Sequence, residues 1–243
     1  MKVSIITISF NSAKTIDETL SSVSKQTYGN IQHIIIDGGS SDKTLHICKK
    51  YSHISKIISE KDKGVYDAFN KGIKHSTGDI IGFLNSDDTF DNKNSIEQIV
   101  NGFEKNTDAI FGNLKFYNEN DKIVRRWVSK PFKKGMFKIA WMPPHPTFYC
   151  RKKVYDKYGY YNDSFKIAGD FELMLRFMEC YSINTRFLNK NLIRMKPGGI
   201  SNSGLISKIQ ILKEEFEAFK INKLNINRFT YLFNKVLKIK EFL

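Results

Sequence analysis

The sequence predicts an α/β fold in which a mostly parallel central sheet is flanked by helices and followed by a helical C-terminal extension. Two observations support this expectation. In residues 1–110, short β-branched runs alternate with amphipathic segments, which is the pattern of parallel strands joined by crossover helices. All five prolines lie beyond residue 130, so this first half is free of the residue that most disrupts helices and central strands.

Size and composition are those of a folded enzyme-sized domain. The chain has 243 residues, of which 41% are apolar and 13% aromatic, which argues against intrinsic disorder. Three scattered cysteines form no Cys-x-x-Cys pair and the histidines show no zinc spacing, so we expect a reducing compartment. The apolar run of the first strand is too short to be the hydrophobic region of a signal peptide. The sequence contains no window of ~18 apolar residues, the length needed to span a membrane.

The predicted elements follow one another closely. A capping box at Thr15-Ile16-Asp17-Glu18 starts the first helix. Strands are predicted at residues 3–10, 31–36, 54–59 and 79–84, a hairpin at 109–117 and 122–128, and helices at 16–26, 44–51, 65–74, 95–104, near 152–158 and from residue 170.

Polar clusters follow each of the four predicted strands. The carboxyl ends of parallel strands share one edge of the sheet, so we expect the clusters to meet in one cleft, where open α/β sheets bind ligands. They are Asn11-Ser12, residues 37–42, residues 60–63 and Asn85-Ser86-Asp87-Asp88.

The cluster Asn85-Ser86-Asp87-Asp88 is the sharpest chemical signal. Adjacent carboxylates repel each other unless a cation or hydrogen-bond donors compensate them. Oxygen ligands in a cleft suit Mg²⁺ or Mn²⁺ completed by substrate phosphates, whereas the alternative is a pair of turn or N-cap aspartates.

The other polar residues have both functional and structural interpretations. The glycine-containing turn after Asp37 would let backbone approach a ligand, or would be an ordinary turn in which Asp42 caps the next helix. Asp67, Asn70 and Lys71 share one helix face, which could equally be a solvated surface.

Asp170 stands at a predicted helix N-terminus, where it could cap the helix or act as a general base. Leu173, Phe177 and Cys180 would form the buried side of this helix. His145 lies in a stiff Pro-His-Pro loop, either as a structural residue or as a ligand-binding one.

The net charge of +14 is unevenly distributed. Residues 1–110 are close to neutral, whereas residues 111–160 carry 12 basic and 3 acidic side chains. This basic field could attract a nucleotide, a nucleic acid or an anionic lipid surface, or could be a lysine-rich solvated surface.

Taken together, the motifs resemble the inverting nucleotide-sugar glycosyltransferases of family 2, which have the GT-A fold. The resemblance spans about residues 1–200, most of all the bacterial subgroup that extends O-antigen, capsule or exopolysaccharide units. The matching motifs are Asn11-Ser12, Asp37-Gly38-Gly39-Ser40-Ser41-Asp42, Asp62-Lys63-Gly64-Val65-Tyr66-Asp67, Asn85-Ser86-Asp87-Asp88 and Gly169-Asp170-Phe171-Glu172-Leu173.

The resemblance implies a role for each matching residue. Asp170 would be the catalytic base, and Asp87 with Asp88 would hold Mn²⁺ or Mg²⁺. The predicted nucleotide-sugar-binding residues are Thr7, Ser9, Asp37, Asp62, Asn85 and Ser86, and the predicted acceptor-binding residues are His145, Glu172 and Arg176. Relatives often have Asp at position 85, Glu at 169 and Arg at 69, where this chain has Asn85, Gly169 and Phe69.

The implied reaction moves a hexose or N-acetylhexosamine from a nucleotide-diphosphate sugar, with UDP favoured, to a hydroxyl of a glycan acceptor. The divalent cation would neutralise the leaving diphosphate while Asp170 removes the acceptor proton. The acceptor would be carried on a polyprenyl diphosphate, which places the enzyme in the cytoplasm, with peripheral attachment to the inner face of the membrane.

The predicted domain is residues 1–204, with a nucleotide-sugar-binding half at 1–110 and an acceptor-binding half at 111–204. Residues 205–243 form a basic, amphipathic helical extension. Ile209, Leu212, Phe216 and Phe219 would form its first apolar stripe, with Glu214 and Glu215 among the opposite charges. It would bind an anionic membrane surface, or else pack on the catalytic domain or on a homodimer partner.

Three other functions compete with a glycosyltransferase. The net charge and the 13% aromatic content favour a nucleic-acid-binding module, but the basic surplus is spread along the second half and no recognition motif is present. A sugar-nucleotide pyrophosphorylase would need a Gly-rich, basic loop after the first strand, which Ser9-Phe10-Asn11-Ser12 is not. The presence of Asp87 and Asp170 argues against a catalytically dead relative.

Overall fold

A computed structural model describes residues 1–197 and 204–240. This part of the chain forms a single mixed sheet covered by helices. The strands are β1 (Val3–Ser9), β2 (Ile31–Asp37), β3 (Ile54–Ser59), β4 (Ile80–Phe83), β5 (Thr89–Phe90), β6 (Ala109–Tyr117), β7 (Ile123–Trp127), β8 (Tyr149–Arg151) and β9 (Thr185–Met195). The α-helices are α1 (Ile16–Ser24), α2 (Thr44–Cys48), α3 (Val65–His75), α4 (Ser95–Gly102), α5 (Lys152–Tyr158), α6 (Gly169–Leu175), α7 (Leu205–Ile221) and α8 (Arg228–Lys240).

The N-terminal half of the sheet is parallel, in the order β3-β2-β1-β4. Strand β1 is buried along almost its whole length because it lies between β2 and β4 and is covered on both faces. The crossover pattern predicted from the alternating strands and helices is therefore confirmed. All four carboxyl ends point to the same edge of the sheet.

The C-terminal half of the sheet is mixed. Strand β8 is antiparallel to both β4 and β6, and β9 runs parallel to β6. Strands β6 and β7 form the predicted hairpin. Strands β5, β8 and β9 were absent from the sequence-based prediction, because two are very short and β9 has too many polar residues to suggest a buried strand.

Strand β8 joins the two halves of the sheet through a close contact that glycine allows. A Cβ atom added at Gly82 of β4 would lie 2.0 Å from the ring of Tyr149 on β8. The ring of Tyr149 is fully buried against the backbone at this point. Any side chain at position 82 would therefore push the two halves apart.

Helices α7 and α8 share the main core of the molecule. Ala218, Phe219 and Tyr231 are buried in the same apolar cluster as Phe171 and Leu173 of α6. Within the part of the chain that the structure describes, no helix is long and apolar enough to cross a membrane. The last residues of the predicted extension, 241–243, and residues 198–203 lie outside the described residues.

The buried face of α7 matches the predicted stripe in part: Phe219 is buried, and Leu212 and Phe216 pack against the same core. Ile209 is 47% exposed, whereas Glu214 and Glu215 are buried. The prediction was wrong for Ile209 and for the two carboxylates, which have partners in the fold: Glu214 accepts backbone hydrogen bonds and Glu215 pairs with Lys235. Apolar periodicity alone gives no sign of such partners.

Two local predictions were also wrong. The side chain of Thr15 makes no capping hydrogen bond to α1; its hydroxyl donates to the carbonyl of Ser12 instead. Cys180 is exposed, although Leu173 and Phe177 are buried as expected. The cause is a π-helical turn at Arg176–Cys180, which shifts the residues after α6 out of α-helical register.

Candidate active site

The four polar clusters do meet at the carboxyl edge of the parallel strands. The Ser86 hydroxyl donates to the Ser12 hydroxyl at 2.8 Å, which joins the turn after β4 to the turn after β1. The amide of Ser41 donates to the side-chain oxygen of Asn11 at 2.9 Å. A Cβ atom at Gly38 would lie 2.8 Å from Oδ2 of Asp62, so the turns after β2 and β3 also touch.

Asp37 is the centre of the turn that follows β2. Its carboxylate is fully buried and accepts hydrogen bonds from the hydroxyls of Ser9 (3.1 Å), Ser40 (2.5 Å) and Ser59 (2.8 Å). The amides of Gly39 and Ser40 donate to the same carboxylate. These donors satisfy the buried charge, so Asp37 shapes the backbone of the turn at the carboxyl edge of β2.

Thr7 and Ser9 of β1 do not line an open surface. Thr7 is fully buried, and its hydroxyl is 3.0 Å from Nε2 of His33. The Ser9 hydroxyl donates its hydrogen bond to Asp37. The structure therefore gives both side chains partners within the protein, which argues against the direct nucleotide contacts predicted for them.

Asp62 belongs to a cluster of acids around one lysine. The Lys71 ammonium lies 2.7 Å from Asp62, 3.0 Å from Glu60 and 3.2 Å from Asp67. Burial opposes protonation, but hydrogen bonds to these three carboxylates raise the pKa of Lys71 above its ordinary value. Lys71 thus fixes Asp62 and the start of α3 beside the turn after β2.

The turn after β4 holds the two adjacent aspartates. Asn85 donates from Nδ2 to Oδ2 of Asp88 at 3.0 Å, and the Thr19 hydroxyl donates to the Asp88 carbonyl at 2.8 Å. Asp88 is fully buried, while Asp87 and Asn85 are partly exposed. Asp87 is therefore the better placed of the two carboxylates to meet a ligand.

The electrostatics of this turn fit a divalent cation. Oδ1 of Asp88 is buried with no hydrogen-bond partner. Burial raises the pKa of Asp87, and burial together with the charge of Asp87 raises the pKa of Asp88 well above its ordinary value. A hard cation bound here would compensate the charges of both carboxylates.

The described residues contain no cluster of three or more His, Cys, Asp or Glu arranged to hold a metal. This is compatible with Mg²⁺ or Mn²⁺ chemistry, because such ions commonly use one or two carboxylates and complete their coordination with substrate phosphates.

Lys196 is a basic residue of the site that sequence reasoning missed. It follows β9, and its positive charge acts on Asp87, lowering the pKa that burial raises. It also pairs with Glu18 of α1 at 2.8 Å. Its position depends on β9 returning to the sheet edge, and that strand left no clear signal in the sequence.

Asp170 is the second residue of α6 and is partly buried. Its Oδ1 accepts from the amide of Phe171 at 2.8 Å. Burial raises the pKa of Asp170 to about 6, against an opposing hydrogen bond from the amide of Phe171. A carboxylate with this pKa is mostly ionised near neutral pH yet basic enough to accept a proton, as general-base catalysis requires.

Tyr66 links the candidate base to the nucleotide-binding half. Its hydroxyl donates to the carbonyl of Ile167 at 2.5 Å, and its ring packs closely on Gly169. A Cβ atom at Gly169 would lie 2.7 Å from the Tyr66 ring, which explains why this chain has no side chain at position 169. Tyr66 belongs to α3, which begins directly after the Asp62 cluster.

The three predicted acceptor-binding residues are occupied by protein partners. Burial lowers the pKa of His145 to about 4, and its Nε2 is 2.7 Å from the Tyr161 hydroxyl. Glu172 and Arg176 form a largely buried ion pair at 2.8 Å. Arg176 also donates to the carbonyl of Tyr160. These contacts favour structural roles over the predicted acceptor contacts.

Phe69 likewise has a structural place. It is buried and packs against Phe83 and His145, with ring centres 4.5 and 5.5 Å away. A charged side chain at this position would be unpaired in an aromatic cluster. The cluster places apolar rings directly before the Asn85–Asp88 turn, since Phe83 ends β4.

The fold and the site together define an enzyme of the GT-A class: a parallel N-terminal half with paired aspartates at its carboxyl edge, joined to a half that carries a partly buried carboxylate. The family model described as "Glycosyl transferase family 2" matches residues 4–166. The chain belongs to this family and is a glycosyltransferase.

Two curated relatives illustrate the family. An uncharacterized glycosyltransferase of Mycobacterium tuberculosis is 33% identical over 179 residues, covering 72% of this chain and 68% of that protein. The Escherichia coli enzyme WfgD, named as a UDP-Glc:alpha-D-GlcNAc-diphosphoundecaprenol beta-1,3-glucosyltransferase, is 36% identical over 129 residues. That match covers 52% of this chain and about half of WfgD (51%).

Solved structures show the same fold. Staphylococcus aureus TarS 1–349 in complex with UDP-GlcNAc superimposes with a TM-score of 0.71 at 22% identity, covering 93% of this chain and 68% of that one. The mannosyltransferase PcManGT of Pyrobaculum calidifontis, in complex with GDP-Man and Mn²⁺, gives a TM-score of 0.68 at 14% identity. That match covers 96% of this chain and 68% of PcManGT.

Proposed function

We propose that the protein is a metal-dependent, inverting glycosyltransferase of bacterial surface-polysaccharide synthesis. It moves a hexose or N-acetylhexosamine from a UDP-sugar to a hydroxyl of a lipid-linked glycan. The observation that carries the proposal is the partly buried Asp170, with a pKa of about 6, tied through Tyr66 to the helix that follows the nucleotide-binding turns.

The proposed reaction is a single displacement. The acceptor oxygen bonds to the anomeric carbon as the bond to the nucleoside diphosphate breaks, and the acceptor proton passes to the Asp170 carboxylate. Asp87, beside Asp88, would hold Mg²⁺ or Mn²⁺, which as a Lewis acid neutralises the leaving diphosphate. Lys196, whose charge already acts on Asp87, adds a second cation there.

The named relatives support the substrate class. WfgD uses UDP-Glc and an acceptor on diphosphoundecaprenol, and TarS was solved with UDP-GlcNAc. PcManGT was solved with GDP-Man and Mn²⁺. A UDP-sugar and a polyprenyl-diphosphate-linked acceptor are therefore the first substrates to test, with GDP-mannose as the alternative donor.

The decisive experiment is a panel of UDP- and GDP-sugars screened by thermal unfolding, with Mn²⁺, Mg²⁺ or EDTA. Selective binding to the folded state raises apparent stability by RT ln(1 + [L]/Kd), so a donor at 100 Kd adds about 2.7 kcal/mol. We expect one nucleotide-sugar to stabilise the protein in the presence of metal and to be transferred to a polyprenyl-diphosphate-linked saccharide. Stabilisation by none of them would refute the proposal.

We further propose that the extension attaches the enzyme to the inner face of the cytoplasmic membrane. Helix α8 exposes an apolar face: Phe229 is 80% exposed, and Phe233 and Val236 are each 57% exposed. At the α7–α8 turn, Lys220, Lys223 and Arg228 help to line a cavity of about 360 Å³. Apolar side chains beside a basic cavity suit an anionic lipid surface.

Vesicle co-sedimentation of the full chain tests this attachment. Phe229→Ser with Phe233→Ser should abolish binding to phosphatidylglycerol vesicles, while Ile123→Ser with Val124→Ser, also exposed, should not. Neutral phosphatidylcholine vesicles should bind weakly. Equal vesicle binding by both double variants would contradict the proposal. So would a wild type that binds no vesicles but forms a homodimer, if only the α8 variant fails to dimerise.

A further inference from the structure

A carboxylate of the C-terminal extension accepts hydrogen bonds from the backbone segment that leads into Asp170. Oε1 of Glu214 on α7 accepts from the amide of Lys166 at 3.0 Å. Its Oε2 accepts from the amides of Ile167 at 2.9 Å and Ala168 at 2.7 Å. Glu214 is only 8% exposed, and Gln210 holds it from the other side, donating to Oε1 at 2.7 Å.

These three amides belong to the segment directly before α6. The carbonyl of Ile167 accepts from the Tyr66 hydroxyl, and the carbonyl of Ala168 accepts from the amide of Glu172. The segment is therefore held from the α3 side through a carbonyl and from the α7 side through its amides. Asp170 follows it by two residues and has little freedom to move independently of it.

Helix α7 contacts α6 a second time near its end. Asn222, which follows α7, donates from Nδ2 to Oε1 of Glu172 at 3.0 Å. Phe219 of α7 packs on Phe171 with ring centres 5.6 Å apart. Helix α7 thus packs along α6, from the segment before α6 to the middle of that helix. Helix α7 lies outside residues 4–166, which the family model covers.

We propose that Glu214 is a positioning residue for the glycosyl transfer: by holding the amides of residues 166–168 it sets where the Asp170 carboxylate lies relative to the acceptor hydroxyl. This inference rests on the proposed function, in which Asp170 is the base. Glu214 itself touches no substrate in this role.

A carboxylate suits this role better than any other side chain. Its two oxygens accept all three backbone donors, and charge-assisted hydrogen bonds to backbone amides are stronger than neutral ones. Burial opposes ionisation, but the hydrogen bonds from Gln210 and from residues 166–168 keep the pKa of Glu214 below its ordinary value. A glutamine would turn its NH₂ group toward at least one backbone N–H and lose that contact.

Glu214 also contributes to the charge environment of Asp170. Among the described residues, the ionisable groups that act on Asp170 include Tyr66 of α3, Tyr161 of the loop before α6, and Glu214 and Glu215 of α7. Burial is the main cause of the raised pKa of Asp170, and the negative charge of Glu214 adds to it. Neutralising Glu214 therefore lowers the pKa of Asp170.

The test compares Glu214→Gln with Glu217→Gln, an exposed position on the same helix. We expect Glu214→Gln to lower kcat about ten- to a hundredfold, since small misplacements of a catalytic group have effects of this order. The donor KM should change less than about twofold. The acidic limb of the pH profile of kcat should move to lower pH, and Glu217→Gln should match the wild type throughout.

Amide hydrogen exchange separates a local effect from general unfolding. In Glu214→Gln the amides of residues 166–168 should exchange faster while β1 and β2 keep their protection. The milder Gln210→Ala should change kcat and exchange in the same direction by less. A wild-type kcat in Glu214→Gln would overturn the inference. A loss of kcat would also overturn it if the acidic limb is unshifted and protection is lost throughout the molecule.

Failure of the proposed function gives a different result. A wild type that binds no nucleotide-sugar and transfers none would refute the proposed function, and with it the positioning role of Glu214. An active wild type with an unaffected Glu214→Gln variant would refute only the positioning role.

Discussion

The two halves of the molecule hold the carboxylates of the candidate site in different ways. In the N-terminal half, Asp37 is held by residues of its own turn and of the neighbouring strands β1 and β3. In the C-terminal half, the segment before Asp170 is held by Glu214, 46–48 residues further along the chain. Glu179 likewise accepts from the amides of Gly135 and Phe137, 42–44 residues away.

The difference shows what each half requires of the sequence. Parallel strands bring their carboxyl ends together by topology, so short polar side chains placed after them meet without further help. The loops of the second half have no such frame. Buried carboxylates on later helices satisfy their amides instead, at the cost of desolvating a charge.

The largest expected effect comes from removing the base of the C-terminal half. Asp170→Asn should lower kcat by about 10²–10⁴-fold, the usual contribution of a general base, with little change in donor binding. In the wild type, kcat should rise with pH through about pH 6, as Asp170 ionises, and then level off. The measurement is transfer from the identified donor between pH 5 and 8, with binding followed by thermal shift.

An Asp170→Asn variant with more than a tenth of wild-type kcat would reject Asp170 as the base. Asp163→Asn, an exposed acid of the same loop region, is the matched control and should be active.

The second effect concerns the N-terminal half. Asp87→Asn should weaken Mn²⁺-dependent donor binding about ten- to a hundredfold, because an interaction with a charged group contributes about 1.5–3 kcal/mol. Asp88→Asn should have a smaller effect, because Asp88 is fully buried and already accepts from Asn85. Titration of each variant with donor, with and without Mn²⁺, measures both.

If Asp87→Asn keeps the full metal-dependent part of donor binding, the metal site does not include Asp87. The Asp170→Asn variant is the control here, since it should bind donor and metal like the wild type.

The smallest effect is on folding stability. Here the variant is expected to gain stability, whereas the preceding variants lose activity or binding. Asp170 has a folded pKa of about 6, above the ordinary value for an unfolded aspartate, so it favours folding when protonated and loses this contribution as pH rises through about 6. Asp170→Asn should therefore be about 1–3 kcal/mol more stable than the wild type at pH 8. Near pH 4 the advantage should largely disappear.

Urea unfolding at the two pH values checks this expectation. An Asp170→Asn variant that is less stable than the wild type at pH 8 would mean that the ionised carboxylate is well solvated or paired in the folded protein.

The same contrast explains what the sequence could and could not predict. The alternating pattern of residues 1–110 predicts β1–β4 and the meeting of their turns, and the position of Asp170 on α6 follows from its local pattern. The partners of Glu214, the place of Lys196 and the buried roles of His145 and Arg176 depend on contacts across 16 or more residues. Single-sequence patterns carry no information on such contacts.

Several predicted site residues illustrate this limit. Thr7, Glu172 and Arg176 have residue types suited to ligands, yet each already has a partner in the fold. Residue type alone does not separate a group that awaits a substrate from one that satisfies a buried neighbour. For Asp87, Asp88 and Asp170 the assigned roles stay predictions until the proposed variants are measured.

The contact between Glu214 and residues 166–168 has a practical consequence for protein engineering. A chimaera whose replacement tail after residue 204 has no carboxylate at position 214 would leave three backbone N–H groups without their acceptor, just before the proposed base. A junction placed after Asn222 would keep both ties to α6 and exchange only the turn and α8. The proposed membrane attachment could then be redesigned without disturbing the contacts of residues 166–168.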